Sequence, residues 1–247
     1  MTDPTADLLL TLADDEFVLG FWDSEWTGIA PTLEEDVAAS SIAQDEIGHA
    51  KAWYELLAAR TGADADEIAF GREPAGYRHA ALLNHPRTDW AFTVARRLLY
   101  EWADAVRLES LSVSADAEIA GLARKMRREE TYHLLHWAAW LRRLAEGGAE
   151  ARERLAAALT RLTPDAESLF EPVAGEAELV ASGVLPEPLS AWRGRWRERL
   201  AADLAPYGLS LPEVSGDLPR RGTPSDDFGW LWGEFTSVVR SGAGTSW

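Results

Sequence analysis

The chain has 247 residues, of which 47% are hydrophobic and 26% charged, so we expect a globular protein with a sizeable core. The formal net charge of -17 argues against nucleic acids and anionic membranes as partners, because phosphate binding needs a positive surface. The absence of cysteine excludes disulfides, cysteine-ligated zinc, iron–sulfur clusters and thiol catalysis. There is no secretory signal pattern and no apolar run long enough to span a bilayer, so the sequence predicts a cytoplasmic protein.

Helical periodicity dominates the first part of the chain. It predicts four long helices, at about 6–26, 33–60, 89–111 and 115–144. Thr32 and Glu35 have the spacing of a capping box at the start of the second helix. Residues 61–87 are rich in Gly and Pro and indicate a long connection that holds a short helix. Two short connections flanking one long connection are typical of a four-helix bundle with a crossover.

The remainder of the chain is also expected to be helical. Further helices are predicted at 149–162, 164–182, 188–204 and 224–240, with an irregular stretch at 205–223. The last helix is rich in Trp and Phe, which favours a core or subunit interface over a pocket lining, and the tail SGAGTSW is expected to be a loose end or a strap on a partner. We therefore predict an all-α, ferritin-like single domain over 1–247, with a four-helix core at 1–145 and a C-terminal helical extension at 146–247.

Two copies of the pattern Glu-x-x-His occur in the predicted helices. The first is Glu46 and His49 in QDEIGHA, and the second is Glu130 and His133 in RREETYHLLHW. Residues three and four apart share a helix face, and the faces carrying both pairs otherwise hold apolar side chains such as Trp53. A carboxylate facing the core is costly unless it is paired or bound to a cation. Both pairs therefore indicate metal ligands.

A glutamate precedes each pair by about the same distance. Glu16 lies 30 residues before Glu46, and Glu101 lies 29 residues before Glu130, so the two halves of the chain repeat with an offset of 84–85 residues. A dinuclear site in a four-helix bundle takes one carboxylate from each of two helices and a Glu–His pair from each of the other two. The predicted metal ligands are Glu16, Glu46, His49, Glu101, Glu130 and His133. Four carboxylates and two imidazoles suit two iron or manganese ions better than zinc or calcium.

Alternatives to these ligands are open at the level of sequence. The six residues could form a buried ionic network without metal. Asp15 competes with Glu16, and Asp104 lies one turn after Glu101. His136, three residues after His133, is expected to be a packing residue.

Four further polar residues lie near the predicted ligands or in the long connection. Asp45 and Glu129 each directly precede a ligand glutamate and are candidates for acceptors of the N–H groups of the ligand histidines. The alternative is that both are solvated helix charges. His79 and His85 lie in the long connection, where a surface role is expected.

At these residues the sequence resembles the ferritin-like di-iron proteins, and more narrowly the PaaC subunits of bacterial phenylacetyl-CoA epoxidases. The resemblance is carried by the stretches 24–50 and 128–137, by the length and by the helical tail, and it covers most of the chain. It implies a partner that supports a catalytic PaaA-type subunit, which holds the working di-iron centre, or a homodimer when the chain is alone. It further implies that the complex inserts oxygen from O2 into the ring of phenylacetyl-CoA to give the ring-1,2-epoxide, with electrons from NADPH through a reductase.

The resemblance and the residues differ on one point. PaaC subunits are described as structural and some have lost the ligand residues, whereas all six positions are filled in this sequence. The resemblance thus implies a non-catalytic partner, and the residues predict a subunit that binds two iron or manganese ions itself. The rival hypotheses are a free-standing ferritin-like oxidase or iron-handling protein, and a metal-free scaffold.

Overall fold

The computed structural model describes residues 3–215 and 219–242, and over these residues the chain contains helices and no strand. The helices are α1 (Pro4–Ser24), α2 (Leu33–Thr61), α3 (Ala65–Phe70), α4 (Trp90–Leu111), α5 (Ala117–Glu146), α6 (Ala149–Ala166), α7 (Glu176–Ser182), α8 (Leu189–Leu204) and α9 (Asp226–Ser241). Short 3-10 turns occur at Pro74–Gly76, Ala81–Asn84, Glu167–Phe170 and Ala205–Tyr207. The predicted all-α, ferritin-like class is confirmed. None of the described helices combines the length and hydropathy needed to cross a bilayer. The predicted loose end after Gly242 falls outside the described residues.

The ends of the long helices follow the local signals in the sequence. The Thr32 hydroxyl accepts a hydrogen bond from the Glu35 N–H (3.3 Å), and Asp89 caps α4 by accepting from the Phe92 N–H (2.8 Å). Gly62 ends α2 in the left-handed region (φ 74°) that favours glycine. The predicted short helix in the long connection is α3.

The predicted helix break at Thr163-Pro164 is wrong. Helix α6 continues through Pro164 to Ala166 and runs into the 3-10 turn that ends at Phe170. Proline removes one backbone donor, but this position is in the last turn of the helix, where the loss is small, and the neighbouring Leu162 and Ala166 are fully buried. The predicted helix at 164–182 is consequently reduced to α7.

The chain divides into two compact units, which we describe separately. The terminal unit contains Ala6–Pro86 and the described residues from Gly222 onward, and thus α2, α3, α9 and nearly all of α1. The central unit contains the described residues of Arg87–Arg221 and the start of the chain to Thr5, and thus α4 to α8. The C-terminal helices are therefore shared between the two units, and the division at residue 145 stays a prediction.

A buried ionic network anchors the long connection to α1 in the terminal unit. Asp14 accepts hydrogen bonds from the Tyr54 hydroxyl (2.6 Å), from both terminal nitrogens of Arg72 (2.9 and 2.5 Å) and from the Arg78 N–H (2.6 Å). Burial raises the pKa of Tyr54 well above its usual value. Burial opposes ionisation of Arg72, but the hydrogen bond and charge of Asp14 outweigh it and raise the pKa of Arg72. The carboxylate and the guanidinium thus stay charged and paired.

Aromatic side chains form much of the core of the terminal unit. Phe17 makes edge contacts with Tyr54, Phe70 and Phe235, which places α9 against the hairpin of α1 and α2. The predicted core role of the aromatic last helix is confirmed for Phe235. The expected surface role of His79 is wrong, because His79 is 1% exposed and its ring lies 4.1 Å from that of Phe228.

The central unit is built around the hairpin of α4 and α5, with α6 and α8 packed on α4. The Trp196 indole N–H donates to the Leu99 carbonyl (2.9 Å), which joins α8 to α4. Arg193 and Arg197 of α8 both form ion pairs with the buried Glu167. The helices after α5 therefore hold α4 in place from the side opposite to its hairpin partner.

Candidate metal centre

Helices α1 and α2 bring three of the predicted ligands together in the terminal unit. Glu16, Glu46 and His49 are at most 5% exposed, and each offers a ligand atom within 4.8 Å of those of the other two. Ligand atoms on opposite sides of one ion lie about 4.2 Å apart when the bonds are about 2.1 Å long, so the spacing is close to that of a shared ion. We call this group the terminal half-site.

Gly20 explains why α1 and α2 approach closely at the terminal half-site. A Cβ added at Gly20 would lie 2.7 Å from Cγ1 of Ile47, 3.0 Å from the Ala43 carbonyl oxygen and 3.2 Å from Cβ of Glu46. Such distances are shorter than van der Waals contact, so only glycine permits this helix separation. Sequence reasoning missed Gly20, although an unexplained glycine inside a predicted helix was a signal.

Helices α4 and α5 bring the corresponding three residues together in the central unit. Glu101, Glu130 and His133 are at most 3% exposed, and their ligand atoms also lie within 4.8 Å of one another. Nδ1 of His133 is 3.2 Å from Oε1 of Glu130. We call this group the central half-site. The two half-sites together contain all six predicted ligands, and their union in one dinuclear centre stays a prediction.

An arginine that sequence reasoning missed belongs to the central half-site. Arg97 lies one turn before Glu101 on α4, forms an ion pair with it, and is completely buried. Its guanidinium carbon lies 5.4 Å from the centroid of the Trp137 ring, within the range of a cation–π interaction. The signal in the sequence was an Arg four residues before a Glu on a helix whose neighbouring positions are apolar.

The residues that competed for ligand roles have other functions. Asp15 is buried and accepts a hydrogen bond from the Ala80 N–H (2.8 Å), so it holds the end of the long connection. Asp104 accepts from Nε (2.9 Å) and Nη2 (2.5 Å) of Arg107. Both carboxylates thus contribute to structural contacts, in agreement with the choice of Glu16 and Glu101.

Three other candidates lie beside the half-sites. His136 is half-buried and makes an edge contact with Trp137 (ring centroids 4.9 Å apart), which fits the expected packing role. Asp45 is half-buried and Glu129 is exposed. Their role as acceptors for ligand histidines stays a prediction.

The donor set of each half-site fits a divalent ion. Two buried carboxylates and one neutral imidazole carry a formal charge of about -2, which one divalent cation neutralises. Oxygen and imidazole donors without thiolate are suited to iron and manganese. The observation that supports this fit is the burial of four carboxylates in two compact groups, each with a histidine.

Comparison with known proteins agrees with this geometry. The sequence model of the family described as phenylacetic acid catabolic protein matches residues 1–247. The chain belongs to this family. Within the phenylacetic acid catabolic proteins, it is similar to the PaaC subunit of the 1,2-phenylacetyl-CoA epoxidase of Escherichia coli (strain K12). The two are 26% identical over 241 residues, which cover 96% of this chain and 97% of the relative.

Proposed function

We propose that the chain is a subunit of a multicomponent phenylacetyl-CoA monooxygenase that forms the ring epoxide in aerobic phenylacetate degradation. The observation that carries this proposal is the similarity to the PaaC subunit of the epoxidase over nearly the whole length of both chains. A match of that extent involves the C-terminal helices as well as the two hairpins. We infer that the subunit stabilises a catalytic PaaA-type subunit and acts in the cytoplasm.

We further propose that each half-site binds one iron or manganese ion. Such ions, when bound, supply redox and Lewis-acid chemistry. The chain's own residues hold the ions through carboxylate and imidazole donors, and the apolar side chains around them, such as Trp53 and Trp137, exclude water.

One exposed stripe of α5 supports a protein partner. It has the three- and four-residue spacing of a helix-packing face, with Tyr132 (74% exposed) and Leu135 (64% exposed) at its centre. Exposed basic residues flank this centre, namely Lys125, Arg128 and Arg142. A basic stripe on a chain of charge -17 fits an acidic surface, and we infer that the catalytic subunit supplies one.

Co-expression with a PaaA-type catalytic subunit tests the proposed function. We expect a stable complex by size-exclusion chromatography with light scattering, and epoxidation of phenylacetyl-CoA when a reductase and NADPH are added. A chain that does not associate, and that alone forms an oligomer that oxidises and mineralises iron, would support the rival iron-handling function instead.

Two matched variants test the partner surface. Leu135→Glu places a negative charge at the centre of the stripe and is expected to weaken the complex by at least about tenfold. Val113→Glu is the control, because Val113 is 72% exposed and lies in the turn before α5, outside the stripe. Equal affinities for the two variants would exclude the stripe as the docking surface.

A further inference from the structure

The central half-site contains a positive charge of its own. Arg97 is 0% exposed, its guanidinium pairs with Glu101, and the Trp137 ring lies beside it. An arginine keeps its charge at any pH at which the protein is folded. The central half-site therefore contains two carboxylates and one permanent internal cation.

The internal repeat identifies the equivalent position in the terminal half-site. Glu101 and Glu16 are 85 residues apart, and the same offset relates Arg97 to Leu12. Leu12 is 2% exposed and apolar. One turn before the glutamate, the two half-sites thus differ in a full positive charge at a buried position.

This difference changes what each half-site offers a metal ion. The terminal triad carries about -2 and requires one divalent cation for neutrality, whereas Arg97 reduces the charge of the central group to about -1. An ion that binds Glu101 must also share this carboxylate with the guanidinium or displace it. In a buried site, both effects weaken binding.

We propose that Arg97 is a built-in counter-ion that takes the place of an ion in the central half-site. The terminal half-site then binds a divalent ion first and more tightly, and the central half-site binds one weakly. The inference rests on the proposed ion binding, and it makes the two halves of a symmetric ligand pattern unequal.

Titration of the whole chain with Mn²⁺, followed by equilibrium dialysis and electron paramagnetic resonance, tests the inference. For the unsubstituted protein we expect one tightly bound Mn²⁺ per chain, which is lost in Glu46→Gln. In Arg97→Leu, which copies the terminal half-site, we expect a second Mn²⁺ to bind at least about tenfold more tightly than in the unsubstituted protein. Arg97→Lys retains the charge and is expected to keep a single tight ion.

Arg97→Leu leaves a buried carboxylate without its cation, so a second variant guards against misfolding. Arg97→Gln retains a polar side chain of similar length and removes the charge. If Arg97→Leu is insoluble, the affinity of the second ion in Arg97→Gln decides the question. Thermal unfolding with and without Mn²⁺ provides a second readout, and the ion should raise the melting temperature more in the Arg97 variants than in the unsubstituted chain.

Three outcomes would overturn the inference. Two ions of equal affinity in the unsubstituted protein would contradict it and leave the proposed ion binding intact. An unchanged second ion in both Arg97→Leu and Arg97→Gln would do the same. If neither the unsubstituted chain nor any variant binds Mn²⁺, the proposed ion binding fails as well.

Discussion

The terminal and central half-sites have the same ligand types at the same spacing, but their surroundings differ. The terminal half-site has Leu12 one turn before its α1 glutamate and Gly20 one turn after it, and the glycine lets α1 and α2 approach closely. At the equivalent positions the central half-site has Arg97 and Ala105. The comparison teaches that a repeated ligand pattern predicts which residues meet but not how the charge of the group is balanced.

The largest expected effect concerns the two helix glutamates that stand alone in the pattern. In chelator-treated protein, Glu101→Gln removes the carboxylate that neutralises the buried Arg97, and should lower the free energy of unfolding by about 3–5 kcal/mol. Glu16→Gln removes one of two neighbouring buried carboxylates and should change it by about 1 kcal/mol or less, because repulsion with Glu46 is relieved. Urea unfolding of both variants measures the difference, and equal losses would contradict the asymmetry.

Metal removal should reveal the same asymmetry. Mn²⁺ at 100 times its dissociation constant is expected to stabilise the folded chain by about 2.7 kcal/mol relative to chelator-treated protein. Glu46→Gln should abolish this stabilisation, whereas Glu130→Gln should retain most of it, since Glu130 belongs to the central half-site. Thermal unfolding across a Mn²⁺ series checks the prediction, and the reverse order of the two variants would assign the tight ion to the central half-site.

A smaller effect is expected from the close helix contact in the terminal half-site. Gly20→Ala should destabilise the protein by about 1–3 kcal/mol, because its Cβ would overlap with Ile47 and the Ala43 carbonyl. Gly48→Ala is the matched control in α2, where a Cβ meets nothing within 4 Å, and should stabilise the helix by about 0.5–1 kcal/mol. Denaturant unfolding separates the two, and a neutral Gly20→Ala would show that the helices can move apart without loss.

The smallest expected effect concerns the acidic residues that precede the ligand glutamates. Asp45→Asn should weaken Mn²⁺ binding by about tenfold if Asp45 orients a ligand histidine. Glu129→Gln should weaken it less, because Glu129 is exposed and its charge is screened by solvent. Calorimetric titration of both variants measures the affinities, and wild-type affinity in both would assign them to solvated helix charges.

Local signals in the sequence were sufficient for most of the helices and for the membership of the half-sites. Thr32, Asp89 and Gly62 end or begin helices where their chemistry predicts, because capping depends on a few neighbouring residues. The two Glu-x-x-His pairs lie on buried faces because a helix presents residues three apart on one side. Pro164 and His79 were misjudged, since burial of the surrounding residues outweighs a local preference.

The sequence by itself determined an all-α chain with two equivalent hairpins, each carrying a glutamate and a Glu–His pair, because helical periodicity and spacing are properties of the chain alone. Only the tertiary structure decided that Arg97 is fully buried against Glu101 and that Gly20 sets the approach of α1 and α2. Burial and the distance between helices depend on every element that packs nearby. These two properties, and not the ligand pattern, distinguish one half-site from the other.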